Sequence, residues 1–425
     1  MTKFKKTELD NGATVVTEEN PNSVAVSCGI WVNSGTRHEK ASEMGISHFL
    51  EHMVFKGTKT RSALRLAREL EAVGGELNAF TTREHTCYHT LSLPEHLELC
   101  LDVLSDLVLN ATFPAGELEI ERGVILHEIA AAVENQEEYL YDAFYEKYFV
   151  GSPLGFPILG TEETVGNITR AGLRGRYKSR YAGKNLIVSA AGQLDHDMVV
   201  KAVSKTIGKI RSRPKPPLMK KSSFRPFTEI IERDSDQVHI LVGLPAPHYK
   251  DPARFEGFIF NAILGGGMTS RLYQKIRERR GLVYSVYSSM NTFMDVGVTN
   301  IYASTSEKNF QTVMTIILDE VDKLKRKGVT PAEMKLFKTQ VRGGILLGSD
   351  DVENRMNSIG VNEMIFGRFR PMDEVVTEVE AVDQKSMTAF LKRRLHLEKM
   401  GILVLGPEGT SKHLKWLKDL AREYS

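Results

Sequence analysis

Cysteine, long apolar runs and an excess of charge of one sign are all scarce in this sequence of 425 residues. No apolar run approaches the ~20 residues of a membrane-spanning helix, so we expect no membrane association. Lysine plus arginine (56) and aspartate plus glutamate (54) nearly cancel. The resulting net charge of +2 gives no reason to expect nucleic acid binding.

The chain has three cysteines, Cys28, Cys87 and Cys100, which are odd in number and widely spaced. This usage argues against a disulfide framework and predicts a reducing compartment. The first residues contain lysines but no apolar core, so we expect neither a signal peptide nor secretion. A hydrophobic content of 41% and a charged content of 26% are typical of globular proteins. The length predicts two or more domains.

Against this background the stretch from His48 to His52, HFLEH, is the most informative. If residues 44–56 are helical, His48 and His52 lie one turn apart on one face and can share a metal ion. Glu51 lies beside His52, where it can reach a metal-bound water. The order H-x-x-E-H is the reverse of the H-E-x-x-H motif of zinc proteases. Taken alone, the motif also fits a surface helix with solvated side chains.

A second segment offers a third ligand. Residues 117–132 are predicted to be helical, with Glu121 and Glu128 seven positions apart on one face and an apolar side at Ile125 and Ile129. Catalytic zinc takes three protein ligands and leaves the fourth position open. The sequence offers no fourth protein ligand, which argues against a purely structural zinc site.

These two motifs together resemble the pitrilysin and mitochondrial processing peptidase family of inverted-motif zinc proteases. Within that family the chain is similar to bacterial processing-peptidase-like members of similar length. The resemblance implies that His48, His52 and Glu128 bind one zinc ion per chain. It implies that Glu51 is the general base on a zinc-bound water and that Glu121 orients the site. The implied activity is that of a bacterial, cytoplasmic metalloendopeptidase, which hydrolyses peptides or presequence-like segments in an enclosed chamber.

The sequence also indicates a duplication. A hairpin, a strand and a helix over residues 7–56 recur over residues 226–264. Aligning the two helices at Gly45 and Gly257 sets three apolar residues opposite the metal motif. A second alignment, at Pro114 and Pro331, sets residues that cannot bind zinc opposite the two glutamates of the second segment. The residues opposite His48, Glu51, His52, Glu121 and Glu128 are Phe260, Ile263, Leu264, Lys338 and Ile345. The second half is therefore predicted to be an inactive copy.

The predicted domains are a catalytic zinc-binding half over 1–206, a basic, proline-rich linker over 207–227, and an inactive half over 228–425. The fold class is predicted to be α+β. Each half has a mixed, mostly antiparallel sheet with helices packed on one face. The resemblance adds that the two homologous halves face each other across a cleft.

Several residues have substrate roles only through the resemblance. Residues 74–93 alternate in polarity and predict a strand, which by its own pattern fits a sheet edge or the core. The resemblance implies that Asn78 and Ala79 pair with the substrate backbone as an added strand. Phe55 corresponds to an aromatic residue that lines the pocket after the cleaved bond, although ordinary core packing explains it equally well.

Two further pairs of residues also have substrate roles only through the resemblance. Glu138 and Asp142 lie at i and i+4 of a predicted helix, where most such pairs are solvated surface. The resemblance implies that they bind an arginine two residues before the cut. Arg277 and Tyr284 by themselves fit a solvated helix and a strand. The resemblance implies that they reach the substrate carbonyl and stabilise the oxyanion.

Rival functions also fit the sequence. The family resembles catalytically inactive core subunits of the respiratory cytochrome complex, so an inactive scaffold is one alternative. An enzyme that needs a separate partner subunit is another. The resemblance favours a homodimer, because one chain carries a single pair of halves. The physiological substrate does not follow from the sequence.

Overall fold

The computed structural model describes residues 3–210 and 221–424, which form two compact units. Unit 1 takes in 3–131, 156–210 and 348–370, and unit 2 takes in 132–155, 221–347 and 371–424. Each unit thus combines segments from both sides of the predicted linker. Residues 211–220, at the centre of that linker, lie outside the described residues, and the domain boundaries at 206 and 228 stay predictions.

The strands of the described residues form two sheets. In chain order they are β1 (Lys3–Glu8), β2 (Thr14–Glu19), β3 (Val26–Val32), β4 (Glu76–Thr81), β5 (Thr86–Ser92), β6 (Leu186–Gly192), β7 (Phe227–Glu232), β8 (Val238–Ala246), β9 (Val283–Thr292), β10 (Gly297–Thr305) and β11 (Gly401–Gly406). Unit 1 contains β1 to β6, and unit 2 contains β7 to β11. Both sheets are mixed and mostly antiparallel, as predicted, with β2–β6 and β7–β11 as parallel pairs.

The helices cover most of the remaining described chain. In chain order they are α1 (Ile46–Val54), α2 (Ala63–Glu71), α3 (Leu97–Asn110), α4 (Ala115–Glu134), α5 (Gln136–Tyr148), α6 (Glu162–Asn167), α7 (Arg170–Arg180), α8 (His196–Lys205), α9 (Arg254–Gly265), α10 (Phe310–Lys327), α11 (Pro331–Leu347), α12 (Val352–Phe366), α13 (Met372–Ala381), α14 (Gln384–Arg393) and α15 (Leu414–Glu423). A π-helical turn spans Tyr273–Glu278.

The two sheets repeat one topology. Their strand orders are β1-β2-β6-β3-β5-β4 and β7-β11-β8-β10-β9. When β1 is set aside, the remaining strands of each sheet follow the same order, with the first strand beside the fifth. The helices also correspond: α1 is the first α-helix after β3 in unit 1, and α9 is the first α-helix after β8 in unit 2. The predicted α+β fold with a duplicated architecture is confirmed.

The larger core of each unit lies on one face of its sheet. In unit 1, Ile30 of β3 belongs to a buried cluster with Phe49 of α1 and Leu104 of α3. In unit 2, Val242 of β8 belongs to a buried cluster with Phe260 of α9. Full burial of each such side chain stabilises the folded protein by about 1.5–3 kcal/mol. The three cysteines are buried and form no disulfide.

The opposite face of each sheet is covered by one helix that comes from the other side of the predicted linker in sequence. We call these two helices, α12 on the first sheet and α5 on the second, the exchanged helices. In unit 1, Met356 and Ile359 of α12 form a buried cluster with Trp31 of β3. In unit 2, Phe144 of α5 forms a buried cluster with Leu241 of β8. The helix α12 follows the predicted linker in sequence, whereas α5 precedes it. Each sheet is therefore completed by a helix from the other side of the linker.

Glycines in the two sheets allow the exchanged helices to pack closely. At Gly29 of β3, an added Cβ would lie 2.6 Å from Sδ of Met356. At Gly243 of β8, an added Cβ would overlap the ring of Phe144. Glycine in a strand interior often marks such a close approach. The same packing solution recurs in corresponding strands of the two units.

The segment over residues 74–93 forms a hairpin rather than the single strand that we predict. Strands β4 and β5 pair across a turn at residues 82–85. The backbone N–H of Thr82 donates to the carbonyl of His85 at 2.8 Å, and the Thr82 hydroxyl accepts the N–H groups of Glu84 and His85 at 3.2 and 3.0 Å. Hydroxyl side chains form such turns without glycine or proline. Strand β4 lies at the edge of its sheet, beside β5.

Candidate metal centre and active site

Two helices of unit 1 bring three possible metal ligands together. His48 and His52 lie one turn apart on α1, and Glu128 lies on α4. The Nε2 atoms of His48 and His52 are 3.8 and 3.7 Å from Oε2 of Glu128. One ligand atom from each residue lies within 4.8 Å of the other two. The sequence motifs thus converge at one point of the fold.

The apolar residues of the two helices explain this convergence. On α1, Phe49, Leu50 and Met53 are buried in the core. The two histidines are therefore held on the remaining face of a helix that cannot rotate without exposing its apolar side. On α4, Ile125 and Ile129 are buried in the same cluster. Glu128 is fixed because its neighbour Ile129 is anchored in the core.

The distances and the donor set fit a zinc ion. A tetrahedral ion about 2.0–2.2 Å from each ligand atom would place those atoms roughly 3.4 Å apart, close to the distances of 3.7 and 3.8 Å seen here. Within the described chain, Oε2 of Glu128 is buried and has no hydrogen-bond partner. Buried oxygens are rarely left unpaired unless an ion or water completes them. Two imidazoles and one carboxylate are also a known ligand set of catalytic zinc.

Glu51 lies on α1 between the two histidines in sequence and is mostly buried. Its carboxylate accepts a hydrogen bond from the hydroxyl of Thr81 on β4. Burial raises the pKa of Glu51 above its ordinary value, although the Thr81 hydrogen bond opposes that shift. A carboxyl group with a raised pKa is suited to accept and return a proton. The geometry therefore allows general-base chemistry beside the ligands.

Glu121 of α4 fixes the orientation of one histidine. Its Oε2 lies 3.0 Å from Nδ1 of His52, and its Oε1 pairs with the ammonium group of Lys56. A carboxylate can only accept at Nδ1, so the ring donates there and keeps the Nε2 lone pair for a ligand. Glu121 thus holds His52 in the tautomer that metal binding requires.

His48 has no such hydrogen-bonded support. Its Nδ1 is buried and has no hydrogen-bond partner among residues 3–210 and 221–424. Burial, and to a smaller extent the neighbouring His52, lowers the pKa of His48 to about 4. The imidazole is therefore neutral at neutral pH, as a metal ligand must be.

The predicted substrate residues of unit 1 lie close to α1. Asn78 and Ala79 lie on β4, which pairs only with β5 in the described part of the chain and so leaves one edge open. Phe55 follows the last residue of α1 and is partly buried, with its ring centroid 6.2 Å from that of Tyr88. An open edge strand can accept an added strand. The substrate roles of these three residues stay predictions.

The other four predicted site residues belong to unit 2. Glu138 and Asp142 lie one turn apart on α5, and Glu138 is exposed. Arg277 lies in the π-helical turn, with its guanidinium carbon 5.0 Å from the ring centroid of Tyr273. Tyr284 lies on the edge strand β9 with 79% of its surface exposed. Burial in the unit 2 core does not account for Tyr284, and the roles of all four stay predictions.

Thr81 and Lys56 are site residues that the sequence motifs do not predict. Thr81 lies two positions after Ala79 on β4, so strand alternation places both on one face. That signal was present in the sequence, but its use requires knowing that β4 lies against α1. Lys56 has no such signal, because its partner Glu121 is distant in sequence and follows from the packing of α1 on α4.

Two protein-family models match the chain. Residues 14–162 match insulinase (peptidase family M16), and residues 167–341 match the peptidase M16 inactive domain. The chain is 38% identical over 416 residues to an uncharacterized zinc protease of Mycobacterium tuberculosis, which covers 96% of this chain and 94% of the relative. It is 34% identical over 406 residues to an uncharacterized zinc protease of Bacillus subtilis, with 96% and 99% covered. The chain belongs to peptidase family M16.

Solved structures agree with the M16 assignment at the level of the fold. A peptidase M16 inactive domain from Pseudomonas fluorescens superposes with a TM-score of 0.89 at 19% identity, covering 95% of this chain and 98% of the other. A protease from Helicobacter pylori superposes with a TM-score of 0.88 at 19% identity, covering 96% and 100%. At such identity the likeness establishes the shared fold alone.

The M16 models divide the candidate site residues in a consistent way. The insulinase match covers the histidines, Glu51, Glu121 and Glu128, whereas the inactive-domain match covers Arg277 and Tyr284. Within the described ranges of this M16 chain, the helices are all too short or too polar to cross a membrane.

Proposed function

We propose that this chain is a zinc-dependent endopeptidase that hydrolyses peptides or presequence-like segments. The observation that carries the proposal is the convergence of His48, His52 and Glu128 beside Glu51. Relatives named as zinc proteases support the same reaction class. Membership of peptidase family M16 supports peptides as substrates.

We infer that the three ligands hold one zinc ion per chain. The group of possible ligands has three members among the described residues, which leaves a fourth coordination position for water or substrate. When bound, zinc acts as a Lewis acid that polarises a carbonyl and lowers the pKa of water toward ~7. The buried, unpartnered oxygen of Glu128 supports this inference.

Glu51 is the proposed general base. It takes a proton from the attacking water as the water oxygen bonds to the scissile carbonyl carbon. It then gives that proton to the leaving amine as the carbon–nitrogen bond breaks, and so returns to its starting state. The hydrogen bond from Thr81 orients the carboxylate, and Glu121 keeps His52 in the required tautomer.

The proposed substrate contacts come from both units. The peptide backbone pairs with β4 at Asn78 and Ala79, and Phe55 lines the pocket after the cut. Such backbone pairing is indifferent to side chains and suits an enzyme that accepts varied peptides. Glu138 and Asp142 bind an arginine two residues before the cut. Arg277 and Tyr284 donate to the substrate carbonyl and stabilise the oxyanion.

The proposal extends to the assembly. The half over 1–206 carries the chemistry and the half over 228–425 contributes Arg277 and Tyr284. Two chains enclose the substrate in a chamber as a homodimer in the bacterial cytoplasm. An inactive scaffold is the weaker alternative, because such subunits often lose zinc ligands and this chain keeps all three.

The decisive experiment maps cleavage of a mixed peptide library by mass spectrometry, using the zinc-loaded protein alone. Glu51→Gln is the matched control, because it keeps size and metal but cannot act as a base. We expect it to retain zinc and peptide binding while hydrolysis falls at least ~10²-fold. A zinc-loaded wild type that cuts no peptide would contradict the proposal. Light scattering on the same samples tests the homodimer.

A further inference from the structure

The two candidate metal-binding histidines are not oriented by the same kind of contact. Nδ1 of His52 lies 3.0 Å from Oε2 of Glu121. Nδ1 of His48 is buried and has no hydrogen-bond partner in the described chain. Metal-binding histidines usually donate their second ring nitrogen to a fixed acceptor, which orients the ring. The direction of His48 therefore depends on the helical turn that carries it and on packing of its ring, whose centroid lies 4.6 Å from that of His52.

A buried carboxylate holds that turn. Glu39, with 4% of its surface exposed, precedes α1 in the chain. Its Oε2 accepts the backbone N–H of Gly45 at 2.9 Å, and its Oε1 accepts the backbone N–H of Ser47 at 2.7 Å. The first N–H groups of a helix have no partner within it. A carboxylate is the strongest acceptor for them, because it is charged and lies at the positive end of the helix dipole.

Arg176 of α7 secures the same turn from a second direction. Its Nη1 donates to the carbonyl of His38 at 2.7 Å, and its Nη2 lies 3.2 Å from the hydroxyl of Ser47. The guanidinium thus connects the residue before Glu39 to the residue before His48. Its positive charge also stabilises the Glu39 carboxylate.

The backbone that enters α1 has little freedom to compensate for a lost anchor. Gly45 has a φ of +87°, a left-handed conformation that suits glycine. An added Cβ at Gly45 would overlap the carbonyl oxygen of Leu159. The backbone at Gly45, which donates one of the hydrogen bonds that Glu39 accepts, is therefore confined by its own conformation and by the carbonyl of Leu159.

We propose that Glu39 and Arg176 are positioning residues for zinc binding. They hold the backbone and hydroxyl of Ser47, and thereby set the direction in which His48 presents Nε2. This inference rests on the zinc site of the proposed function. It assigns one support to each histidine, Glu121 for His52 and the Glu39–Arg176 pair for His48.

The test measures zinc affinity by competition with a chromogenic chelator, using Glu39→Gln. The assay is run at about pH 8, because burial raises the pKa of Glu39 to about 7 and the carboxylate is then charged. Glutamine has the same size, but its amide nitrogen cannot accept, so one of the two N–H bonds is lost. We expect zinc affinity to fall about tenfold or more, the usual range for residues that support a metal ligand.

A second readout and a milder variant separate positioning from stability. With cobalt(II) in place of zinc, the visible bands report ligand geometry, and we expect them to shift in Glu39→Gln. Ser47→Ala removes the hydroxyl that contacts both Arg176 and Glu39 but leaves the backbone N–H groups that Glu39 accepts, so it should fold and lower zinc affinity less, in the same direction. Ser47→Ala decides the question if Glu39→Gln does not fold.

Glu18→Gln is the matched control. Glu18 is also a buried carboxylate, and it binds Arg355 of α12 through Nε at 3.1 Å and Nη2 at 2.5 Å, on the other face of the sheet. We expect a lower melting temperature with unchanged zinc affinity and cobalt bands. Wild-type affinity and bands in both Glu39→Gln and Ser47→Ala would overturn the inference. A wild type that binds no zinc would instead contradict the proposed function.

Discussion

The two units share a sheet topology and differ most at the first helix after β3 and β8. In unit 1 this helix, α1, presents His48, Glu51 and His52. In unit 2 the sequence alignment sets Phe260, Ile263 and Leu264 of α9 opposite them, but these three residues are buried in the core and so match the core side of α1, where Leu50, Met53 and Val54 are buried. Matched by burial instead, the ligand face of α1 corresponds to Phe258, Asn261 and Ala262, so unit 2 has no histidine or carboxylate at this place.

The helices α4 and α11 show the same contrast. The two helices begin at Ala115 and Pro331, which sets the buried Phe337 opposite Glu121, one position before the Lys338 that the sequence alignment gives. In unit 2 this position packs in the core, whereas in unit 1 it contacts His52. Corresponding positions of the two helices thus serve packing in one unit and a polar contact beside the candidate ligands in the other.

The largest expected effect separates the two aligned helices. His52→Ala removes one of three ligands, so most zinc and all measurable hydrolysis should be lost. Leu264→Ala on the core side of α9 should keep zinc but lower the free energy of unfolding by about 2–5 kcal/mol, because it leaves a cavity. Metal analysis and denaturant unfolding on both variants check this. Full zinc occupancy in His52→Ala would place the metal elsewhere, and zinc loss in Leu264→Ala would break the comparison.

A somewhat smaller effect tests whether unit 2 takes part in the reaction. Tyr284→Phe should lower turnover by up to ~10²–10³, the range for losing one oxyanion donor. Because the side chain is 79% exposed, stability should change by no more than about 0.5 kcal/mol. Arg277→Ala should behave similarly and also weaken peptide binding.

Tyr424→Phe is the control for Tyr284→Phe. It removes the hydroxyl of another tyrosine in unit 2, which donates to Oδ1 of Asp319 at 2.5 Å. Turnover, zinc content and melting temperature are measured on the same preparations. Normal turnover in both Tyr284→Phe and Arg277→Ala would leave unit 2 with a structural role alone.

The exchanged helices give a third test, on stability. Gly243→Ala forces a methyl group against the rigid ring of Phe144 and should cost about 1–3 kcal/mol of unfolding free energy. Gly29→Ala meets the thioether of Met356, which can adjust, so the cost should stay below about 1 kcal/mol. Urea unfolding of the two variants measures the difference. Equal losses of unfolding free energy would mean that Met356 adjusts to an added methyl group no better than Phe144 does.

The smallest expected effect concerns the acidic pair on α5. Glu138 is exposed, so its ion pair with a substrate arginine is worth no more than about 1 kcal/mol. Glu138→Gln should raise KM about fivefold or less for peptides with arginine two residues before the cut. Peptides with leucine at that position are the control and should be unaffected. An equal change for both peptides would remove arginine recognition from this residue.

The sequence predicts those parts of the molecule that depend on neighbours along the chain. The spacing of His48 and His52 determines their common face once α1 is helical, and the apolar run around Cys28 predicts β3. The turn at residues 82–85 escapes prediction because threonine replaces the usual glycine or proline. The contacts of Glu51 with Thr81 and of Glu39 with Ser47 depend on packing and on loop geometry, which local patterns do not encode.

The exchanged helices escape prediction for a related reason. The apolar residues of α5 and α12 show that each helix packs on something, but not on which sheet. Each helix fits its own sheet in shape, with Gly29 facing Met356 and Gly243 facing Phe144, and such fit is not readable from either segment alone. A sequence alignment of the two halves therefore recovers the duplication and misses the exchange.

Because α12 packs on the first sheet, a ribosome cannot release a finished unit 1 until it has translated residue 366. A polypeptide ending at residue 210 would leave Val16, Trp31 and Ile187 without their cover from α12. We expect each half made alone to be aggregation-prone, and two separately encoded halves to fold only when co-expressed and to co-purify as one particle. Independent solubility of either half would show that the exchanged helix is dispensable.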